Sequence, residues 1–254
     1  AELAALVPQG WEERPDGAVF WLPEGAEAEP AVAAALARLA ALGRLSVRRE
    51  DADWRETWRR FHVPHVVGRV RVRPPWYPPA DGYVDVVVEA AMAFGTGGHA
   101  STRQCLAALQ ALPPGSLLDV GTGSGVVALA ALRLGFAPVW AVDVDPVAVQ
   151  GAARNAARNG LQPTLLLGDA TDPGFPLPAT DVVVANIALR PILRLAARWA
   201  PAAGGQAPPR PRHLLLAGLL VSQGDEALAA FPGYRLAGRE VDGEWLLLHL
   251  EEAS

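Results

Sequence analysis

LLDVGTGSGVVALA, residues 117–130, decides how the rest of the chain is read. SLLDVG (116–121) is an apolar run of strand length. Three glycines then alternate, at Gly121, Gly123 and Gly125, and SGVVALAALRLG reads as a helix. Glycine admits positive φ and lets a ligand approach the backbone closely. The first turn of a helix offers N–H groups without intrahelical partners. Dinucleotide-binding folds hold a pyrophosphate on such a strand–loop–helix unit with G-x-G-x-x-G spacing. Here the spacing is G-x-G-x-G.

Working outward, the next apolar strand, VWAVDVD (139–145), carries Asp143 at its end, 22 residues beyond Gly121. In this architecture that position meets ribose hydroxyls, because a carboxylate accepts both hydrogen bonds. TLLLGD brings Gly168 and Asp169 to the end of a third strand, where an acid or its neighbour reaches an adenine amino group. DVVVANI (181–187) ends in Ala185–Asn186. Ligands bind at the carboxyl ends of strands in open α/β sheets. Asp119 or Asp143 alone would be read as a helix cap; a glycine loop followed by three polar strand ends in order points to a ligand site.

The flanking segments set the fold class. Apolar strands alternate with helices predicted over 99–111, PVAVQGAARNAARNG (146–160), 190–199 and 223–231. That alternation predicts a parallel sheet covered on both faces. HLLLAGLL (213–220) is a further strand. Two closing strands, 234–241 and 244–251, meet at Asp242–Gly243 and predict an antiparallel hairpin. The expectation is a Rossmann-like α/β domain over 84–254, with VDVVVEAAM (84–92) as a strand. Residues 1–60 predict a small α+β domain: a helix end (2–7), strands at 18–23 and 44–50, a helix at 31–42, and a connecting helix, DADWRETWRRF (51–61), with Trp54 and Trp58 on one face. Residues 62–83 read as a linker between the domains, in which VVGRVRVRP alternates like a strand and the proline cluster after it is an extended turn. The opening on Ala1, at a helix end without a preceding strand, predicts residues upstream.

Composition narrows the classes. The 254 residues are 51% hydrophobic and contain one cysteine, Cys105, so no internal disulfide forms. No apolar run reaches the roughly 18 residues of a membrane span, and no metal-ligand spacing is visible. A reducing, cytoplasmic setting is expected. All 22 basic residues are arginine. Nine of them fall within residues 44–73 against four acids, while the chain as a whole is at −5, so the remainder is strongly acidic and suits a cationic substrate. The arginine-rich stretch reads as a solvated helix face and edge strand; no nucleic-acid-binding motif accompanies it.

An NAD-binding domain would prefer G-x-G-x-x-G and usually a second half-sheet; this chain ends in a hairpin instead. DVGTGSG followed by VDVDP resembles the class I S-adenosylmethionine-dependent methyltransferases. MAFGTGGHAST (92–102), LLDVGTGSG, AVDVDP, NAARNG, VVVANI and GEWLLLHL together resemble the bacterial methyltransferases of ribosomal protein L11, the PrmA family, over about 84–251. The acidic–tryptophan helix at 51–61 also fits that family; residues 1–50 fit loosely.

The resemblance implies S-adenosylmethionine as methyl donor, with S-adenosylhomocysteine as product. It implies cofactor contacts at Thr102, Gly121, Asp143 and Asn186, and places Phe94, Gly95, Thr96, Gly97 and His99 in a loop over the site. With the glycine-loop reading, the expected cofactor set is Phe94, Thr96, Thr102, Asp119, Gly121, Gly123, Gly125, Asp143, Asp169 and Asn186. The sequence departs from the family at Ala90–Ala91, where Pro-Gly is usual, and at Ser101–Thr102, where two threonines are frequent.

The implied substrate is a large-subunit ribosomal protein, methylated on lysine ε-amines and on its α-amine; a monomer is expected, with no membrane and no direct nucleic-acid site. Asn186 is expected to orient the amine. His99 is a candidate proton acceptor, with a structural hydrogen bond as its competing reading. Other readings are a lysine methyltransferase of another protein, such as an electron-transfer flavoprotein, or a non-catalytic nucleotide-binding assembly protein.

Overall fold

The computed structural model describes residues 12–14, 17–19, 29–42, 46, 62–89, 97–199 and 209–253. The chain divides into two compact units, Ala1–Thr57 and Trp58–Ser254. In the first, β1 (Glu12–Arg14) pairs antiparallel with β2 (Gly17–Val19). Its helix α1 (Pro30–Leu42) starts at proline, whose fixed φ suits a first helical turn, and continues in alanine and leucine, strong helix formers. The predicted helix end at 2–7, the strand at 44–50 save Ser46 and the helix at 51–61 lie outside the described residues.

The second unit opens with a three-stranded sheet, which corrects the linker expected over 62–83. Strand β3 (His65–Val67) runs antiparallel to β4 (Val70–Arg73), and β5 (Val84–Val87) runs parallel to β4. The alternation of VRVR explains the order. Val70 and Val72 are buried with Val86 and Val88 in the main apolar cluster. Arg71 and Arg73, on the opposite face, both pair with Asp85, at 3.3 and 3.0 Å. The same arginines donate to the carbonyls of Pro78 (2.9 Å) and Tyr77 (2.6 Å), which ties down the proline cluster. These two arginines therefore belong to a central strand and an ion-pair network, and not to the solvated edge the sequence predicted. β5 likewise pairs with β4 and is no part of the large sheet.

The large sheet has seven strands: β6 (Leu117–Val120), β7 (Val139–Asp143), β8 (Thr164–Leu167), β9 (Val182–Asn186), β10 (His213–Leu220), β11 (Tyr234–Asp242) and β12 (Trp245–Glu252). Their spatial order is β11-β12-β10-β9-β6-β7-β8. β8, β7, β6, β9 and β10 are mutually parallel, and β12 runs antiparallel between β10 and β11. Side chains of the central strands alternate between two cores. Leu117, Val182, Val184 and Leu215 face the cluster that contains Cys105, Leu106 and Leu109; Leu118, Val183, Ala185 and Leu216 face the cluster around Ile192, Leu195 and Trp199. Burial on both faces is why these strands are apolar throughout instead of alternating.

The helices are α2 (Ala100–Ala111), α3 (Val126–Arg133), α4 (Pro146–Asn159), α5 (Leu189–Ala196) and α6 (Gly224–Ala229). Short 3-10 turns extend α5 at Ala197–Trp199 and precede α6 at Val221–Gln223. β6 lies between β7 and β9, so the chain leaves it in one direction and later returns on its other side. That reversal is the switch point where open α/β sheets bind ligands. Among the described residues, no helix is long and apolar enough to cross a membrane.

Candidate cofactor and methyl-transfer site

The glycine loop follows β6 at this switch point. Gly121, Gly123 and Gly125 all have positive φ, at 72°, 53° and 82°. Gly121 is glycine for a second reason: a Cβ there would lie 2.3 Å from Cγ2 of Ile187, the residue after Asn186. The loop from β6 and the turn after β9 thus touch through a bare backbone.

Asp143, at the end of β7, braces the loop. Its Oδ2 accepts the Gly123 N–H at 2.9 Å, and its Oδ1 accepts the Asp145 N–H at 3.0 Å. Asp145 in turn caps α4, accepting the Val147 N–H at 2.8 Å. Each Asp143 oxygen receives one hydrogen bond, which leaves acceptor capacity on both for a pair of hydroxyls.

Asp119, expected among the cofactor contacts, has another role. It is 1% exposed. It accepts Thr122 Oγ1 at 2.6 Å and a backbone hydrogen bond from Ala128 in the first turn of α3. Gly125 has no side chain to cap that helix, and Asp119 serves it from inside the sheet. Burial, the largest cause, pushes its pKa up to about 6 against the pull of these hydrogen bonds.

Asp169 follows β8. Its Oδ1 accepts both the N–H and the hydroxyl of Thr171, at 2.8 and 2.6 Å. These bonds hold its carboxyl below the usual range. Arg198 donates to the carbonyls of Ala170 (3.0 Å), Asp172 and Phe175 (2.7 Å), fixing the segment after Asp169.

At the end of β9, Asn186 Nδ2 donates to Thr102 Oγ1 at 3.4 Å, so the structure brings together these two predicted residues from distant segments. Thr102 is buried in the first turn of α2. Gly218, in β10, completes the corner. It has φ +76° within an irregularity of the β10–β12 pairing, and a Cβ there would sit 2.8 Å from the Ile187 carbonyl oxygen and 3.1 Å from Asn186 Oδ1.

His99 is the N-cap of α2. Its Nδ1 accepts the Ser101 N–H at 3.3 Å and lies 2.8 Å from Ser101 Oγ. Its ring meets Trp245 edge-on, with centroids 4.6 Å apart. The geometry supports the structural reading of His99. Gly97 and His99 are described; Phe94, Gly95 and Thr96 lie outside the described residues. Among the described residues, no group of three or more metal-ligating side chains gathers.

The sequence reading missed Ile187, Gly218, Asp145 and Trp245. Asp145 carried a signal, an acid directly before the helix-starting Pro146. Gly218, inside a strand pattern, marked a bulge or close backbone approach.

This sheet order, with a glycine loop at the switch and an acid at the end of the adjacent strand, is that of the Rossmann-like class I methyltransferases. A crystal structure of ribosomal protein L11 methylase from Lactobacillus delbrueckii subsp. bulgaricus superposes with a TM-score of 0.65 at 22% identity, covering 76% of this chain and 100% of that one. The sequence profile of ribosomal protein L11 methyltransferase (PrmA) matches residues 26–253. Ribosomal protein L11 methyltransferase of Geobacter sulfurreducens is 41% identical over 207 residues, 78% of this chain and 66% of that protein. Its Bordetella bronchiseptica counterpart is 38% identical over 262 residues, 95% of this chain and 81% of that protein. The chain belongs to the ribosomal protein L11 methyltransferase (PrmA) family. It spans slightly less than two thirds of the length of the Geobacter relative.

Proposed function

We propose that this protein is an S-adenosylmethionine-dependent protein N-methyltransferase whose substrate is ribosomal protein L11, acting on lysine amino groups in the cytoplasm. The observation that carries the reading is Asp143, which holds the Gly123 N–H on one oxygen at the switch point and keeps acceptor capacity for a ribose diol. Family membership supports the choice of substrate.

The donor set fits the cofactor. The positive-φ glycines keep the loop free of side chains where the methionine part would lie. Asp143 would take the ribose hydroxyls and Asp169 the adenine amino group, with Thr102 and Asn186 at the reacting end. Bound there, S-adenosylmethionine supplies a methyl group already activated on a sulfonium sulfur.

The protein's remaining task is alignment of the amine with that methyl group. A free lysine amine, with a pKa near ~10.4, is mostly protonated at neutral pH, so only a small neutral fraction reacts. Asn186 has its amide N–H directed to Thr102, leaving Oδ1 to accept an N–H of the neutral amine and aim its lone pair. The small N-terminal unit presents the substrate protein. Calorimetry with S-adenosylhomocysteine and with NAD tests the cofactor assignment. The former is expected to bind and the latter not; the reverse pattern overturns the reading.

A further inference from the structure

Helix α4 contains two asparagines four residues apart, Asn155 and Asn159, at 2% and 8% exposure. Asparagine is a poor residue for a helix interior, and a buried carboxamide needs partners. Both are satisfied by the same neighbouring strand segment. Asn159 Oδ1 accepts the Val87 N–H at 2.9 Å, and its Nδ2 donates to the Val87 carbonyl at 2.7 Å and to the Asn155 carbonyl at 2.8 Å. Asn155 Oδ1 accepts the Glu89 N–H at 3.0 Å. Together the two amides line residues 87 and 89 as a neighbouring strand would.

Only Asn155 also reaches the glycine loop: its Nδ2 donates to the Ser124 carbonyl at 2.9 Å. The loop is therefore fastened at two points, one at the end of β7 and one on α4. Asp143, beside the α4 N-cap, holds Gly123, and Asn155, in the third turn, holds Ser124. Between these points, Gly125 packs on α4 so closely that a Cβ there would lie 3.1 Å from the Ala152 Cβ.

We propose that Asn155 is a positioning residue for the methyl donor, setting the height of the Gly121–Gly125 loop against α4 and β5. This rests on the methyltransferase reading above. Asn159 provides the internal comparison, because it makes a similar number of buried hydrogen bonds from the same helix but none to the loop. The test is titration of S-adenosylhomocysteine into the full chain carrying Asn155→Ala, Asn155→Asp or Asn159→Ala, with a denaturation midpoint for each. Asn155→Asp keeps the acceptor for Glu89 but faces the Ser124 carbonyl with a second oxygen; it carries the test if Asn155→Ala does not fold.

Both Asn155 variants are expected to weaken binding roughly tenfold, the scale of one lost buried hydrogen bond. Asn159→Ala is expected to lower the midpoint and leave affinity within about twofold. Equal affinity losses in Asn155→Ala and Asn159→Ala, or wild-type affinity in Asn155→Asp, overturn the proposal. Absence of binding by the unmodified chain overturns the donor site itself, and this proposal with it.

Discussion

Gly121→Ala is a sharp perturbation of the loop, because two separate costs are visible. The residue sits at φ +72°, where an L side chain costs roughly 1–2 kcal/mol. Its new Cβ would lie 2.3 Å from Ile187 Cγ2. Ordinary carbon contacts lie at about 3.5–4.0 Å, so Ile187 must retreat by more than ~1 Å. Overpacking of that kind costs about 1–3 kcal/mol. The expected total is about 2–5 kcal/mol, within the reach of a typical domain's stability. Urea denaturation followed by tryptophan fluorescence measures it.

The two costs separate in a double-mutant cycle. Ile187→Ala removes Cγ2, so Gly121→Ala in that background pays only the backbone cost, and the coupling energy should equal the overpacking share of about 1–3 kcal/mol. S-adenosylhomocysteine affinity should fall with Gly121→Ala, since Ile187 adjoins Asn186, and recover in part in the double variant. Additive stability losses, or a Gly121→Ala protein as stable as the parent, would refute the reasoning.

Other outcomes follow from the same geometry. Asp119 has its pKa raised from 3.8 to about 6 by burial, so its contribution to stability is fully present below the unfolded value and is lost as pH rises through about 6. The loss is about 3 kcal/mol, and Asp119→Asn should flatten the difference between midpoints measured at about pH 4 and pH 7.5; an unchanged difference contradicts the assignment. Asn186→Ala should lower turnover more than donor affinity, and equal losses in steady-state kinetics and calorimetry would show that its role is misassigned. His99→Asn keeps an N-cap acceptor and should retain stability and turnover, while His99→Ala should lose about 1 kcal/mol of stability; a large loss of turnover in an equally stable His99→Asn would make His99 the base.

Much of the large sheet was legible because its residues answer to local rules. The apolar runs at 117–120 and 182–186 declare doubly buried strands. Pro146 and Gly160 bracket α4, and Asp242–Gly243 marks the hairpin. The positions of Asp143, Asp169 and Asn186 after their strands were legible because the apolar runs end there, and the switch-point rule made them candidates. The role of Asp119 was not, since an acid at a strand end looks the same in sequence whether it faces a ligand or turns inward to Thr122. The alternation of VVGRVRVRP and the apolar run at 84–88 were legible as strands, but their pairing into a separate sheet was not, and the partnership of Arg71 and Arg73 with Asp85 depends on a parallel pairing that alternation alone does not reveal. Gly218 carried a local signal, a glycine inside a strand pattern, but Ile187 is ordinary in its turn; only the juxtaposition of β6 and β9 makes its approach to Gly121 informative.

The most direct measurement is transfer of labelled methyl groups from S-adenosylmethionine into purified large-subunit ribosomal proteins, with the parent chain and Asp143→Ala in parallel. The account predicts label in ribosomal protein L11 with the parent chain, and sharply less with Asp143→Ala at limiting donor. Label in other proteins but not in L11, or equal labelling by both chains, would contradict it.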